Sequence, residues 1–149
     1  MLDFCSGGGG EALGLESAGF LTVGAIDNDA SACATLRLNR PNLHVIEEDV
    51  RNVSGRTFRG IDLLAGGVPC PPFSVAGKQL GSDDERDLFP EALRLVEEAR
   101  PGAILLENVP GFAATKFVEY RQALLERLQR LGYEADWRIL QASAFGVPQ

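Results

Sequence analysis

Ile61-Asp62-Leu63-Leu64-Ala65-Gly66-Gly67-Val68-Pro69-Cys70-Pro71-Pro72-Phe73-Ser74 is the stretch that decides the fold. Its first five residues form a short apolar run that reads as a buried strand. Two glycines follow, then a cysteine held between prolines that cannot continue a sheet. A loop rich in glycine and charge runs on from Gly77 to Arg86. Cys70 therefore sits just past a strand end. A lone thiol in a rigid turn reads as inert. The prolines also fix φ, and a fixed backbone aims a nucleophile at low entropic cost. On this stretch alone both readings stay open.

Working outward, strands alternate with helices. Leu2 to Cys5 reads as a first strand, Ser6 to Gly10 as a glycine loop, and Glu11 to Ala18 as a helix with Leu13 and Leu15 available for burial. Gly19 stops that helix. Leu21 to Ile26 reads as a second strand. Asp29 is placed to cap a helix that runs to Asn39, with Ala30, Cys33, Ala34 and Leu38 on one face, and Pro41 breaks it. His44 to Glu47 is a third strand, and Arg51 to Gly60 a polar segment that reads as a short turn or one helical turn. After the Cys70 loop, Leu88 to Ala99 is a helix with Leu88, Ala92, Leu95, Val96 and Ala99 on one side. Ala103 to Leu106 is apolar throughout, which predicts a central parallel strand covered on both faces. A long amphipathic helix follows from about Thr115 to Leu131, then a last strand from Tyr133 to Leu140. This order predicts an α/β fold with a doubly wound, parallel sheet. Such sheets bind ligands beyond the carboxyl ends of their strands. The glycine loop, Asp27, Asp49, Cys70 and Glu107 each follow a strand, so they converge on one edge.

Composition narrows the function classes. The chain has 149 residues, 45% apolar and 23% charged. That suits one globular domain able to bury roughly two-thirds of its unfolded surface. No apolar run approaches the ~18 residues of a membrane span, and Met1-Leu2-Asp3 puts an acid where a signal peptide carries basic residues. A cytoplasmic protein is expected. Three scattered cysteines and a single histidine, His44, exclude a disulfide framework and point to no metal. The net charge of −7 argues against a self-sufficient nucleic-acid binder.

The strand-end residues have chemistry of their own. Gly7 to Gly10 let backbone approach a ligand closely at a helix N-terminus. Asp27 suits a ribose diol, which presents two donors to one carboxylate; it would equally cap a turn, a role that Asp29 could share. Asp49 could accept from an exocyclic amine while the Val50 N–H donates to a ring nitrogen. Together these describe an adenosine site. Glu107 ends a very apolar strand, so desolvation is expected to raise its pKa and suit it to proton donation. It stands one strand from Cys70.

These residues resemble the DNA (cytosine-5) methyltransferase family. Asp3-Phe4-Cys5-Ser6-Gly7-Gly8-Gly9-Gly10 is similar to its first, S-adenosylmethionine-binding motif. Asp27 falls at the ribose-binding acid, and Asp49-Val50 at the adenine-binding pair. Gly67-Val68-Pro69-Cys70-Pro71-Pro72-Phe73-Ser74 is similar to the catalytic loop, and Glu107-Asn108-Val109 to the Glu-Asn-Val motif. Ala142 to Gln149 resembles the start of the next motif. The resemblance implies a Rossmann-like methyltransferase fold and methyl transfer from S-adenosylmethionine to C5 of cytosine, leaving S-adenosylhomocysteine, with no metal. It implies catalysis by Cys70, which adds to C6, and by Glu107. It implies cofactor contacts at Phe4, Cys5, Gly7, Gly8, Gly9, Gly10, Asp27, Asn28, Asp49, Val50, Pro69 and Leu88. Ser74, Lys78 and Gln79 would face nucleic acid, and Asn108 would brace the substrate side.

Three residues depart from the family pattern. Cys5 stands where the family usually has Phe, Ser6 where a smaller residue is common, and Pro71 where Gln usually follows the cysteine. The family's arginines and target-recognition domain have no counterpart in residues 1–149. The resemblance therefore implies the cofactor-binding and catalytic portion of an enzyme. Its double-stranded DNA partner would be held by regions outside this stretch, or by a second polypeptide that carries the recognition domain. A bacterial or phage-type restriction-modification setting, near the nucleoid and away from membranes, goes with this reading. A tRNA-modifying branch shares the motifs and is the alternative substrate class; an inactive subunit that needs a partner chain is the alternative role.

Overall fold

The strand expected at the start of the chain is β1, Leu2–Phe4, and it lies in the middle of the sheet. The structure, a computed structural model, describes residues 1–69 and 87–147. The other strands are β2 (Gly24–Asp27), β3 (Val45–Glu47), β4 (Leu63–Gly67) and β5 (Ala103–Glu107). All ladders are parallel, in the order β3-β2-β1-β4-β5. The helices are α1 (Gly10–Ser17), α2 (Ala30–Asn39), α3 (Phe89–Ala99) and α4 (Val118–Arg130). This is the doubly wound α/β arrangement that the alternation predicts. The order reverses between β1 and β4, and a crevice opens at such a switch point.

β1 is buried on both faces. Leu2 and Phe4 join the main core with Phe58 and with Ala92, Leu95 and Val96 of α3. On the other face Met1 and Ala65 pack with Ala12 of α1. Asp3 shares that second face by alternation and has no exposed surface.

Several boundaries and faces differ from expectation, each for a packing reason. β4 runs over Leu63–Gly67 instead of residues 61–65. Its two terminal glycines let neighbours come close: a Cβ on Gly66 would stand 2.5 Å from the Phe4 ring. β2 starts at Gly24, and Leu21 and Val23 before it are exposed. In α1 the buried residue is Ala12, while Leu13 points outward. In α2 Cys33 and Leu36 are buried and Leu38 is 83% exposed, so the inward stripe is narrower than the apolar one. Residues 115–117 form a 3-10 turn before α4 begins.

Two expectations are overturned. β5 is an edge strand of the described sheet, not a central one, and Leu105 is 44% exposed. Residues 133–140 make no ladder. Their alternation marks a strand-like face, but a strand also needs a hydrogen-bonding partner, and these residues pair with none of the described strands. No helix among the described residues is long and apolar enough to cross a membrane.

Candidate active site

The glycine loop after β1 turns on three left-handed residues, Cys5 at φ 53°, Gly7 at φ 50° and Gly9 at φ 87°. Only Gly9 has a steric need as well, since a Cβ there would lie 2.6 Å from Leu36 Cδ2. Around Gly7, Gly8 and Gly10 no atom of the described residues beyond the loop's own neighbours lies within 4 Å of an added Cβ.

Asp27, at the end of β2, ties that loop in place. Its Oδ2 accepts from the Gly7 N–H at 2.8 Å, and its Oδ1 from the Asp29 N–H at 2.8 Å. Asp29 itself caps α2, accepting from Ser31 and Ala32. Asp27 thus holds the turn and Asp29 caps the helix, the structural role that the sequence allowed them to share. Each Asp27 oxygen keeps a further lone pair for a ligand hydroxyl.

Asp49 follows β3 and caps a 3-10 turn over Val50–Asn52, accepting from the Arg51 N–H and pairing with its guanidinium. Val50 is the first residue of that turn, where an N–H has no intrahelical acceptor. Arg94 of α3 fixes the turn from behind, donating to the Val50 oxygen at 2.8 Å and the Val53 oxygen at 3.0 Å. Glu91 and Glu98 hold Arg94 in turn.

These ends enclose a cavity of about 200 Å³. Seven of the expected cofactor residues line it: Cys5, Asp27, Asn28, Asp49, Val50, Pro69 and Leu88. An acid at one end, a backbone donor at the other and apolar side chains between them fit an adenosine. Burial, with Asp27 and Asp3 nearby, pushes the Cys5 thiol up to about 12, so it stays neutral at physiological pH. Phe4 does not face this space. Its side chain has no exposed surface and serves the core, so only its backbone is left for the expected cofactor contact. Gly8, Gly9 and Gly10 line neither this cavity nor the next.

A second cavity, about 1650 Å³, runs along β5 and residues 132–143 and reaches the ends of β1 and β4. It meets the first at Cys5 and Gly67, which line both. Gly7, Glu11, Glu107 and Asn108 border it. Glu107 pairs with Gly67 across the β4–β5 ladder, and its Oε2 lies 3.6 Å from where a Gly67 Cβ would be. Glu107 is exposed, so the described residues do not supply the desolvation expected of it. Asn108 donates from Nδ2 to the Val68 oxygen at 3.2 Å, bracing the strand that leads to Pro69. Cys70, Ser74, Lys78 and Gln79 lie outside the described residues. No group of three or more His, Cys, Asp or Glu among the described residues could hold a metal ion.

Two acids were missed in the sequence. Asp3 is fully buried, and both its carboxyl oxygens lack a hydrogen-bond partner. Burial pushes its pKa up to about 7. Glu11 has Oε1 buried without a partner, and burial, with Asp3 and Glu107 adding repulsion, also pushes it to about 7. The signal for Asp3 was available: a polar residue between Leu2 and Phe4 in a sheet covered on both faces has no wet side.

Over residues 1–149 the chain matches the family model described as C-5 cytosine-specific DNA methylase. It is 60% identical over 148 residues to the Type II methyltransferase M.NgoMIV of Neisseria gonorrhoeae, covering 99% of this chain and 47% of that protein. It is 52% identical to M.NaeI of Lentzea aerocolonigenes, covering all of this chain and 37% of that protein. Among solved structures it is similar to a prophage-encoded Escherichia coli protein described as a DNA modification methyltransferase. There the TM-score is 0.72 at 30% identity, over 87% of this chain and 37% of that one. The chain thus spans less than half the length of these relatives.

Proposed function

Because the chain belongs to the C-5 cytosine-specific DNA methylase family, we propose that it forms the cofactor-binding and catalytic portion of an enzyme that methylates C5 of cytosine in double-stranded DNA. The observation that carries this reading is the convergence of Asp27, Asp49, Val50 and Leu88 on one cavity that joins, at Gly67, the space bordered by Glu107. S-adenosylmethionine, when bound, supplies an electrophilic methyl group. Asp27 accepts from the ribose hydroxyls. The Val50 N–H and the Asp49 carboxylate read the adenine edge.

The target cytosine is flipped out of the duplex to reach this edge. Cys70, which follows Pro69 in the chain, adds as a thiolate to C6. Glu107 holds N3 and the exocyclic amine, and a proton there takes up the charge pushed into the ring. C5, made nucleophilic by the addition, would take the methyl group that the bound donor supplies, its sulfur leaving as a neutral thioether. Loss of the C5 proton to solvent and departure of the thiolate restore the ring. S-adenosylhomocysteine remains.

A net charge of −7 argues against this portion being a self-sufficient nucleic-acid binder, which needs a basic face for phosphates. We assign that surface to regions outside residues 1–149, in the same polypeptide or in a second one. The setting we assign is the cytoplasm, beside the DNA of a bacterium or phage.

Calorimetry of the chain with S-adenosylhomocysteine and with NAD tests the cofactor reading; equal binding of NAD would overturn it. Trapping on duplex DNA containing 5-fluorocytosine tests the nucleophile, in the presence of a polypeptide supplying the recognition region. Wild type should form a denaturation-resistant adduct, and an equal yield from Cys70→Ser would rule the thiol out.

A further inference from the structure

Glu11 has no part in the site as derived so far. It is the second residue of α1 and borders the larger cavity beside Gly7 and Glu107. Its Oε1 is shielded from solvent and has no hydrogen-bond partner. Asp3 lies close enough for its charge to act on Glu11, and its own carboxyl is fully buried with both oxygens unpartnered. An acid in a first helical turn gains from the helix dipole. A solvent-facing acid gains the same, so the dipole does not explain burial.

Burying carboxyls without partners is costly, and each oxygen left bare forgoes a hydrogen bond it had in water. The described arginines on this cavity do not offset the charge. Arg121 donates to the Phe112 and Ala114 oxygens, and Arg138 faces Asp136. Behind Asp3, Arg40 acts on the buried carboxyl, with its Nη1 buried and without a hydrogen-bond partner; at Glu11 itself the charges that act are those of Asp3 and Glu107, both negative.

We propose that Glu11 is the counter-charge for the α-ammonium group on the amino-acid arm of the cofactor. The inference rests on the S-adenosylmethionine reading and deepens it. An adenosine in the smaller cavity is held by its ribose at Asp27, and the two cavities join at Cys5 and Gly67. The arm carried by the ribose therefore extends past that junction into the space beside Gly7 and Glu11. An ammonium has three donors and one positive charge, which is what this corner lacks. Asp3, behind it, adds to the attraction without touching the ligand. Glu11 is a binding and positioning residue: it holds one end of the donor so that the other end faces the strand end bearing Glu107.

The test is a cycle of ligands and variants read by calorimetry on the full chain. The ligands are S-adenosylhomocysteine, its desamino analogue, and 5′-methylthioadenosine, which lacks the arm. Glu11→Gln should weaken S-adenosylhomocysteine by about 10-fold or more, as expected for a charge-assisted hydrogen bond. It should leave 5′-methylthioadenosine within about 2-fold, the precision of additivity for groups that do not touch. Wild type should lose a similar factor on removal of the amino group from the ligand, a measurement independent of how the variant folds. Equal weakening of all three ligands by Glu11→Gln would overturn the proposal, as would a wild type indifferent to the amino group. If wild type binds none of the three, the cofactor reading itself fails, and the proposal with it.

Discussion

Asn108 donates through Nδ2 to the Val68 carbonyl oxygen at 3.2 Å, joining the residue after Glu107 to the residue before Pro69. A further bond within the segment, from the Val109 N–H to Asn108 Oδ1, keeps the amide oriented. The ends of β4 and β5 are thereby locked side by side. Asn108→Ala should lower stability by about 1 kcal/mol, the net worth of one such bond, or a few degrees in Tm. Asn108→Asp, which has no donor, should lose at least as much. Unfolding curves identical to wild type for both variants would show that the brace contributes nothing.

Gly66 and Phe4 make a sharper case. They are direct ladder partners, and a Cβ on Gly66 would meet the Phe4 ring at 2.5 Å and its carbonyl oxygen at 2.6 Å. A central backbone cannot give way as a flexible side chain would. Gly66→Ala is expected to cost about 3 kcal/mol, at the upper end for overpacking a core. Gly8→Ala, with none of the described residues within 4 Å of the added methyl, should stay within about 0.5 kcal/mol of wild type. Chemical denaturation of the two variants side by side checks the contrast.

Asp3 makes stability depend on pH in an unusual direction. Burial raises its carboxyl from 3.8 to about 7, and Glu11 moves from 4.5 to about 7 for the same first cause. The folded state then holds protons that the unfolded state has released. Stability contributed by these groups is therefore greatest at low pH and falls as pH rises from about 4 to about 7. A tenfold difference in proton affinity between the folded and unfolded states is worth about 1.4 kcal/mol. A change of a few kcal/mol is thus expected across that window. Asp3 supplies most of it, because Glu11 is less deeply buried and solvent screens its share. Glu16, which Arg40 and Thr22 hold below the ordinary range, acts oppositely and only under more acid conditions. Asp3→Asn should flatten the slope between pH 5 and 7 in a Tm-against-pH series. A wild-type Tm that rises over this interval would contradict the assignment.

Arg100 ends α3 in the left-handed region, at φ 50° and ψ 56°. A side chain there costs roughly 1–2 kcal/mol relative to the right-handed conformation, and glycine avoids that cost. Arg100→Gly should raise stability by about 0.5–1 kcal/mol, part of the gain being offset by the freer unfolded chain. Arg100 is exposed, so little packing is lost. A fall in Tm would indicate a role for the guanidinium beyond capping.

The alternation of strands and helices, the parallel winding and the edge on which polar residues gather were legible from the chain alone. Each rests on local rules: Pro and Gly restrict φ, an Asp at position 29 caps the helix after it, and apolar runs must be buried. The Cys70 loop, Asp27, Asp49-Val50 and Glu107 stand out for the same reason, since each lies at or just past the end of an apolar strand. Tertiary structure alone decided the rest. Whether β5 is central or an edge depends on which strands come to lie beside it, and residues 133–140 alternate without a partner to pair with. Phe4 went to the core and Leu38 to solvent because burial is set by what stands opposite, not by apolarity. Asp3 and Glu11 became the charged residues of greatest interest for one physical reason: a carboxyl is an ordinary surface group until the fold removes both its water and its partners.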